Sequence, residues 1–325
     1  MVAVSYHDTV NVLQGVPHDP HGPFDRVEWF ARLADAGLDP FVVLASEAGS
    51  SLALLLTRAN GRLEALGNWY TFVWRPVGTP SRHLLVAAAR DLRRRTHRLT
   101  MWPVPGEGDE AARIVQGFRE AGWSVRCELC DHNHVLAVDG RSFDEYWATR
   151  PGQMRTTLKR KSKKVSVDIL ERFDPEVWAA YQTIYERSWK PEEGDPELLR
   201  RFAESEGAAG RIRLGIARAD GVSVAAQFWT VENGIAYIHK LAHRESSKPL
   251  SAGATLSAAL FKRVIDIDKV DLIDFGTGND RYKRDWMELV RTRWRLTCLD
   301  PCKPANWPAL VKAGLRRLAS PERAS

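Results

Sequence analysis

Apolar and polar residues alternate with a period of two over Ile235–His243, and this predicts a half-buried strand. Ile235, Tyr237, His239 and Leu241 fall on one side of it, Ala236, Ile238, Lys240 and Ala242 on the other. Two similar runs precede it, Arg211–Ala219 and Val222–Glu232, separated by Asp220-Gly221 and Asn233-Gly234. Those dipeptides suit the tightest hairpin turns, so the three runs predict an antiparallel meander. The period then lengthens to that of a helix, which opens at Gly253-Ala254 and carries Leu256, Leu260, Phe261 and Val264. Val270–Phe275 is almost continuously apolar, as in a strand covered on both faces. It ends in Asp274-Phe275-Gly276-Thr277-Gly278-Asn279-Asp280, where Asp280 can cap a short helix carrying Tyr282, Lys283 and Trp286. Acids, glycines and a Tyr-Lys pair at the end of a buried strand predict a ligand site.

The earlier half has a comparable pattern. A helix over Asp25–Ala36 turns Val27, Phe30, Leu33 and Ala34 inward, and strands follow at Phe41–Ala45 and Ser51–Thr57. Asn60-Gly61 reads as a hairpin turn into a strand from Arg62 to about Arg75. A helix near Ser81–Thr96, a strand at Leu99–Val104, a helix at Asp109–Ala121 and a strand at Val125–Val138 complete the half. Phe143, Tyr146 and Trp147 then make one aromatic helical turn, followed by the basic run Arg155, Lys159, Arg160, Lys161, Lys163 and Lys164. Helices at Pro175–Ser188 and Pro196–Glu206 lead into the meander, and the chain closes with a strand at Arg291–Leu299, a helix at Trp307–Leu318 and a polar tail. Each half gives helix, hairpin strands, helix, strand, helix, strand. The expectation is an α/β (α+β) chain with a mixed sheet and two domains of one fold. Their expected bounds are 1–140 and 166–302, with a basic helical connector at 141–165 and a C-terminal helix and tail at 303–325.

Composition narrows this picture in three ways. At 325 residues, 44% hydrophobic and 27% charged, the chain has room for two soluble domains, each with its own core. The first thirty residues hold His7, Asp8, His18, Asp19, His21 and Asp25 and no apolar run, and no later stretch has the length of a membrane span, so a cytoplasmic protein is expected. The net charge of +6 favours an anionic partner without choosing among phosphate, nucleic acid and membrane. The four cysteines, Cys127, Cys130, Cys298 and Cys302, have His132 and His134 nearby. A strand would turn the first two to opposite faces, and no knuckle of glycines adjoins them, so reduced thiols and no metal are expected.

Several side chains carry candidate chemistry. An ammonium at Lys240, in an apolar row, needs a partner or a function, and Asp274 is the expected partner. His239 is a candidate base, against the plainer reading of a hydrogen-bonded histidine within a sheet. Trp189 and Lys190 end a helix ahead of Pro191 and line a groove mouth, while Glu192 and Glu193 suit an amine; Asp280 and Lys283 join them as candidate substrate contacts. The basic run either binds phosphates or is a solvated helix face.

The meander followed by loop, helix, strand, helix, strand resembles the GNAT acyltransferase fold, and the whole chain resembles its tandem-domain FemAB-like, or BioF2-like, branch. Tyr237-Ile238-His239-Lys240-Leu241, Leu250-Ser251-Ala252-Gly253-Ala254-Thr255-Leu256, Asp274 to Lys283, and Ser188-Trp189-Lys190-Pro191-Glu192-Glu193 carry the resemblance. It implies two tandem GNAT-like domains with catalysis in the second. It implies an acyl-CoA donor, such as acetyl-CoA, with its pyrophosphate on Ser251, Ala252, Gly253, Ala254 and Thr255 and with Arg244 and Lys248 alongside, since a helix N-terminus suits an anion. The family's Arg/Gln-x-x-Gly-x-Gly/Ala loop departs here, with Leu250 and Thr255 at two of its positions. Tyr282 matches the tyrosine that protonates the departing thiolate, a task open to a phenol whose unperturbed pKa is ~10; the alternative is a core stripe of Tyr282, Trp286 and Leu289. The implied reaction is transfer of the acyl group to an amine of a sugar, peptide or other small molecule, in envelope or polysaccharide biosynthesis. Aminoacyl transfer from charged tRNA, as in FemAB relatives, and a fold kept for binding without chemistry stand as alternatives.

Overall fold

The computed structural model describes residues 1–59 and 61–319 of the chain. These divide into unit 1, made of Met1–Asp131 and the chain from Thr292 onward, and unit 2, His132–Arg291.

Unit 1 contains strands β1 (Ala3–His7), β2 (Pro40–Glu47), β3 (Ser50–Ala59), β4 (Arg62–Ala65), β5 (Val77–Gly78) and β6 (Arg98–Pro105), and helices α1 (Val27–Asp35), α2 (Arg82–Leu92) and α3 (Glu110–Glu120). β7 (Ser124–Ala137) begins in this unit and ends in the other. The sheet order is β1-β2-β3-β4-β6, with β5 paired on β3 and β4 parallel to β6. The other neighbour of β6 is the last strand of the chain, Leu289–Leu299, which pairs antiparallel with Trp294 opposite Val104 and Thr297 opposite Thr100. α2 and α3 approach closely at Gly117, where a Cβ would lie 2.8 Å from Leu85 Cδ2.

One expected strand is cut short. The run from Arg62 is extended only to Ala65, because side chains compete for the backbone beyond it. Thr71 Oγ1 accepts from the Asn68 N–H and Asn68 Oδ1 from the Tyr70 N–H, which turns the chain away from the ladder. Asn60 of the expected Asn60-Gly61 turn lies outside the described residues, as does the polar tail from residue 320 onward.

Unit 2 contains α4 (Phe143–Ala148), α5 (Gly152–Lys161), β8 (Ser166–Leu170), α6 (Pro175–Glu186), α7 (Pro196–Ala208), β9 (Ile212–Ala219), β10 (Val222–Glu232), β11 (Ile235–His243), α8 (Ala252–Lys262), β12 (Leu272–Thr277) and α9 (Lys283–Trp286). Its sheet order is β8-β9-β10-β11-β12, and β12 is completed antiparallel by the second half of β7, with Leu136 opposite Ile273 and Val135 opposite Asp274. The meander forms as its turns dictate: Asp220, Gly221, Asn233 and Gly234 have φ of +49°, +77°, +49° and +71°.

Neighbouring residues of β10 separate the two helical layers. Phe228 turns to α6 and α7, 5.6 Å from Trp178 and 5.7 Å from Phe202 between ring centres, while Trp229 meets Phe261 of α8 at 5.4 Å. The basic run is helical as α5 and packs Met154 and Leu158 against the α8 side of the core. The last helix of the chain, α10, spans Trp307–Ala319. Among the described residues no helix is long and apolar enough to cross a membrane.

The alternation read along β11 breaks at His239. Ile238 stands opposite Trp229 and Lys240 opposite Phe228, so His239 is an extra residue, a β-bulge. Beyond a bulge the faces exchange. Lys240 therefore points to the α6 and α7 side with Tyr237 and His239, and not to the Ala236 and Ile238 side that strict alternation gives.

Candidate functional site

β11 and β12 run parallel and pair through Ile235–Leu272, Ala236–Ile273 and Tyr237–Asp274. Pairing stops there, although β11 continues to His243 and β12 to Thr277. The bulge bends β11 at this point, and a wedge opens between the two strands. The sequence-predicted residues collect at its ends.

At the His243 end stands the N-terminus of α8. Ser251 has φ +53°, no side chain caps the helix, and the first turn closes through the Thr255 N–H to Ser251 O at 3.0 Å. Ala252, Gly253 and Ala254 thus hold the leading N–H groups of the helix. Lys161 of α5 donates from Nζ to Ser251 Oγ at 3.3 Å, which brings the basic run to the helix end. Gly253 faces His243, whose Cδ2 would lie 3.0 Å from an added Cβ, and the His243 ring lies tilted against Trp189 at 4.4 Å between centres. Arg244 keeps its Nε buried without a hydrogen-bond partner, whereas Lys248 is exposed and paired with Glu245 at 3.3 Å.

The other end is cationic. Lys240 is 7% exposed and donates from Nζ to Glu193 Oε1 at 2.7 Å. Its expected partner Asp274 is engaged elsewhere: Asp274 Oδ1 accepts from Asn133 Nδ2 at 2.6 Å and from the Gly276 N–H at 2.7 Å. The bulge turns Lys240 to the α6 and α7 face, where Glu193 meets it, while Asp274 is taken up by Asn133 and Gly276. Loss of hydration pulls the Lys240 ammonium down from the usual lysine range, and Glu193 opposes that pull. Tyr181 donates its hydroxyl to Glu193 Oε2 at 3.2 Å, and Lys240 Nζ lies 5.5 Å from the centre of the Tyr185 ring. Lys190 is pushed down to about 8, first by burial, then by Lys240 and Lys283, against Glu193 and Asp280.

Lys283 is buried and donates to the carbonyls of Phe275 and Thr277, tying α9 to the end of β12. Asp280 is exposed and its side chain does not cap α9; its carbonyl accepts from the Lys283 N–H at 3.0 Å, and Tyr282 occupies the cap position. Tyr282 is 36% exposed, and its ring meets Phe275 edge-on at 5.7 Å. Burial and the Asp280 carboxylate push its phenol up, so it is a neutral proton donor throughout the ordinary pH range. Leu289 is 51% exposed and only Trp286 of the three is buried, so they form no core stripe. His239 shares a hydrogen bond with Thr230 Oγ1 at 2.8 Å and stacks on Phe228. Glu192 is exposed beside Glu193.

A cavity of about 420 Å³ opens between α6, α7 and the 187–195 loop, lined by Trp178, Tyr181, Tyr185, Lys190, Glu192 and Glu193 among others. The tyrosines were readable as an aromatic stripe on α6. Asn133, which holds Asp274, left no signal, because its partner is 141 residues away in sequence. Cys127 and Cys130 lie on β7, where burial pushes both thiols up. Among the described residues, no three His, Cys, Asp or Glu side chains gather as a metal site.

Comparison with known proteins agrees with this architecture. Residues 149–284 match the family model of the acetyltransferase (GNAT) domain. No curated protein matches the chain by sequence. Among solved structures the chain is similar to FemX, with a TM-score of 0.65 and 10% identity over 94% of this chain and 99% of that one. It is also similar to the C-terminal domain of a putative lysylphosphatidylglycerol synthetase from Agrobacterium fabrum, with a TM-score of 0.58 and 13% identity over 88% and 91% of the two chains. A tandem GNAT protein from the clavulanic acid biosynthesis pathway gives a TM-score of 0.54 and 13% identity over 93% and 100%. The fold is therefore a tandem GNAT, FemAB-like one. The wedge lies within the matched GNAT acetyltransferase domain, and that match supports an acyltransferase.

Proposed function

We propose that unit 2 moves an acyl group from acyl-CoA to the amine of a small acceptor. The observation that carries this reading is the wedge. The edge of β11 is left without a strand partner from Ile238 onward, between a helix N-terminus flanked by Lys161 and a protonated phenol at Tyr282. An extended thioester arm fits such an edge, hydrogen-bonding to its backbone as an added strand does. The donor's phosphates fit the leading N–H groups of α8 and the Lys161 ammonium. Metal chemistry plays no part in this reading.

The reaction follows from these parts. The neutral amine attacks the thioester carbonyl carbon, and β11 backbone N–H groups stabilise the oxyanion. The C–S bond breaks and the thiolate takes the Tyr282 proton, and the proton that the new amide nitrogen releases restores the phenol, so the proton count balances. The mouth of the 187–195 loop, with Glu192 and Glu193, receives the acceptor.

A second reading has its own support. The exposed Lys159, Arg160, Lys163 and Lys164 extend beyond what one pyrophosphate needs, and suit a phosphodiester chain such as aminoacyl-tRNA. Thermal unfolding with acetyl-CoA, a long-chain acyl-CoA or tRNA separates the two. A donor at 100 times its Kd raises stability by about 2.7 kcal/mol. A shift with acyl-CoA alone supports the first reading and a shift with tRNA alone the second, while no shift with any of them removes the donor site from the α8 N-terminus.

A further inference from the structure

Lys190 stands in the cavity wall, and Lys240 and Lys283 lie near enough to act on its charge. Lys240 is held by Glu193, and Lys283 by two backbone carbonyls. Lys190 is different: among the described residues its Nζ has no carboxylate within ion-pair distance, and it lies 5.8 Å from the centre of the Trp189 ring. A cation set among other cations and short of water gains most from an anion that arrives with a ligand. The same walls hold Glu186, Glu192 and Glu193, which repel a dianion such as a phosphate monoester more than a carboxylate. Those acids and the rings of Tyr181 and Tyr185 suit an ammonium. About 420 Å³ is the size of a small metabolite's site.

We infer that the cavity takes an acceptor with a carboxylate close to its amine, an amino-acid-like zwitterion, whose carboxylate rests on Lys190 and whose amine lies by Glu193. This rests on the acyl-transfer reading and names the substrate class for it. The amine is stored as an ammonium beside the acids and passes one proton to a carboxylate of the cavity wall before attack, while Lys190 fixes the other end of the molecule. Lys190 is thus a binding and specificity residue; it takes no part in bond making.

The test needs no donor. Saturation-transfer NMR on the full chain compares L-norvaline with n-butylamine, butyrate and O-phosphoethanolamine. Norvaline is expected to bind in preference to all three. Its affinity is expected to fall about tenfold from pH 7 to pH 9 as an ammonium titrating near 8 loses its proton, below the range in which the probe's own amine titrates. Lys190→Arg, which stays charged, keeps binding level over that range, and Lys190→Met loses the preference for norvaline over butylamine. Both variants are checked for native circular dichroism, and the arginine form supplies the result if the methionine form fails to fold. Equal binding of norvaline and butylamine, preference for phosphoethanolamine, or a level pH profile in the unaltered protein overturns the inference. If acetyl-CoA still stabilises the protein while norvaline does not bind, the inference fails and the donor reading stands.

Discussion

Lys240 Nζ donates to Glu193 Oε1 across 2.7 Å, joining the strand beyond the bulge to the loop ahead of α7. The two side chains are 7% and 12% exposed, so each charge depends on the other. Glu193→Gln leaves the ammonium buried without its counter-charge and is expected to destabilise the protein by about 3–5 kcal/mol, the cost of breaking a buried pair. Lys240→Met added to Glu193→Gln should recover part of that loss. Urea unfolding of the four proteins of the cycle measures it, and a single variant as stable as the original would show that the pair does not hold the loop.

Stability around Lys190 should depend on pH in a definite direction. Its folded-state value of about 8 lies below the ~10.4 of an unfolded lysine, so between these values the unfolded chain binds more protons. Stability therefore rises as pH increases from about 8 to 10, and the cost is fully present below 8. The difference between the original protein and Lys190→Met, measured by denaturant unfolding across this range, should show that slope; parallel curves would count against the shift.

Asp274 is expected to behave as a structural acid. It is 6% exposed and accepts from Asn133 and Gly276, so Asp274→Ala leaves both donors buried and should cost about 2–4 kcal/mol. Where the variant remains folded at low temperature, its donor affinity should be near normal. Full stability with lost turnover would return Asp274 to the chemistry.

Tyr282→Phe removes one hydroxyl and keeps the ring against Phe275. Turnover, read as donor hydrolysis or with any accepted amine, should fall by about two to four powers of ten, with donor affinity kept. Unchanged turnover takes the phenol out of the mechanism.

Lys161→Glu puts an acid beside Ser251 and the α8 N-terminus. Donor affinity should fall at least tenfold at low salt, with a smaller gap at high salt, because the interaction is screened. Titration calorimetry at two ionic strengths decides; equal affinities would move the phosphates elsewhere.

These side chains differ in how far the chain alone discloses them. The meander was plain, because Asp220-Gly221 and Asn233-Gly234 have only one easy backbone conformation in common with a hairpin. The bulge was not, since no glycine or proline marks His239, and one extra residue sufficed to turn Lys240 to the other face, where it meets Glu193. Lys161 was visible as part of a charged run, but its place at Ser251 comes from the packing of α5 through Met154 and Leu158, which a local pattern does not report. Arg62 to Arg75 failed as a strand for a local reason that was legible in principle, since Asn68 and Thr71 are turn formers.

The pairing of β6 with the last strand of the chain has a bearing on biosynthesis. Unit 2 is contiguous in sequence, whereas unit 1 is completed only by the segment that begins at Thr292. A ribosome adding about 5–20 residues per second therefore leaves the N-terminal unit without that strand for about ten to forty seconds after β6 is made. The half synthesised first is the half finished last, and during that interval β6 offers an open edge to any other nascent chain.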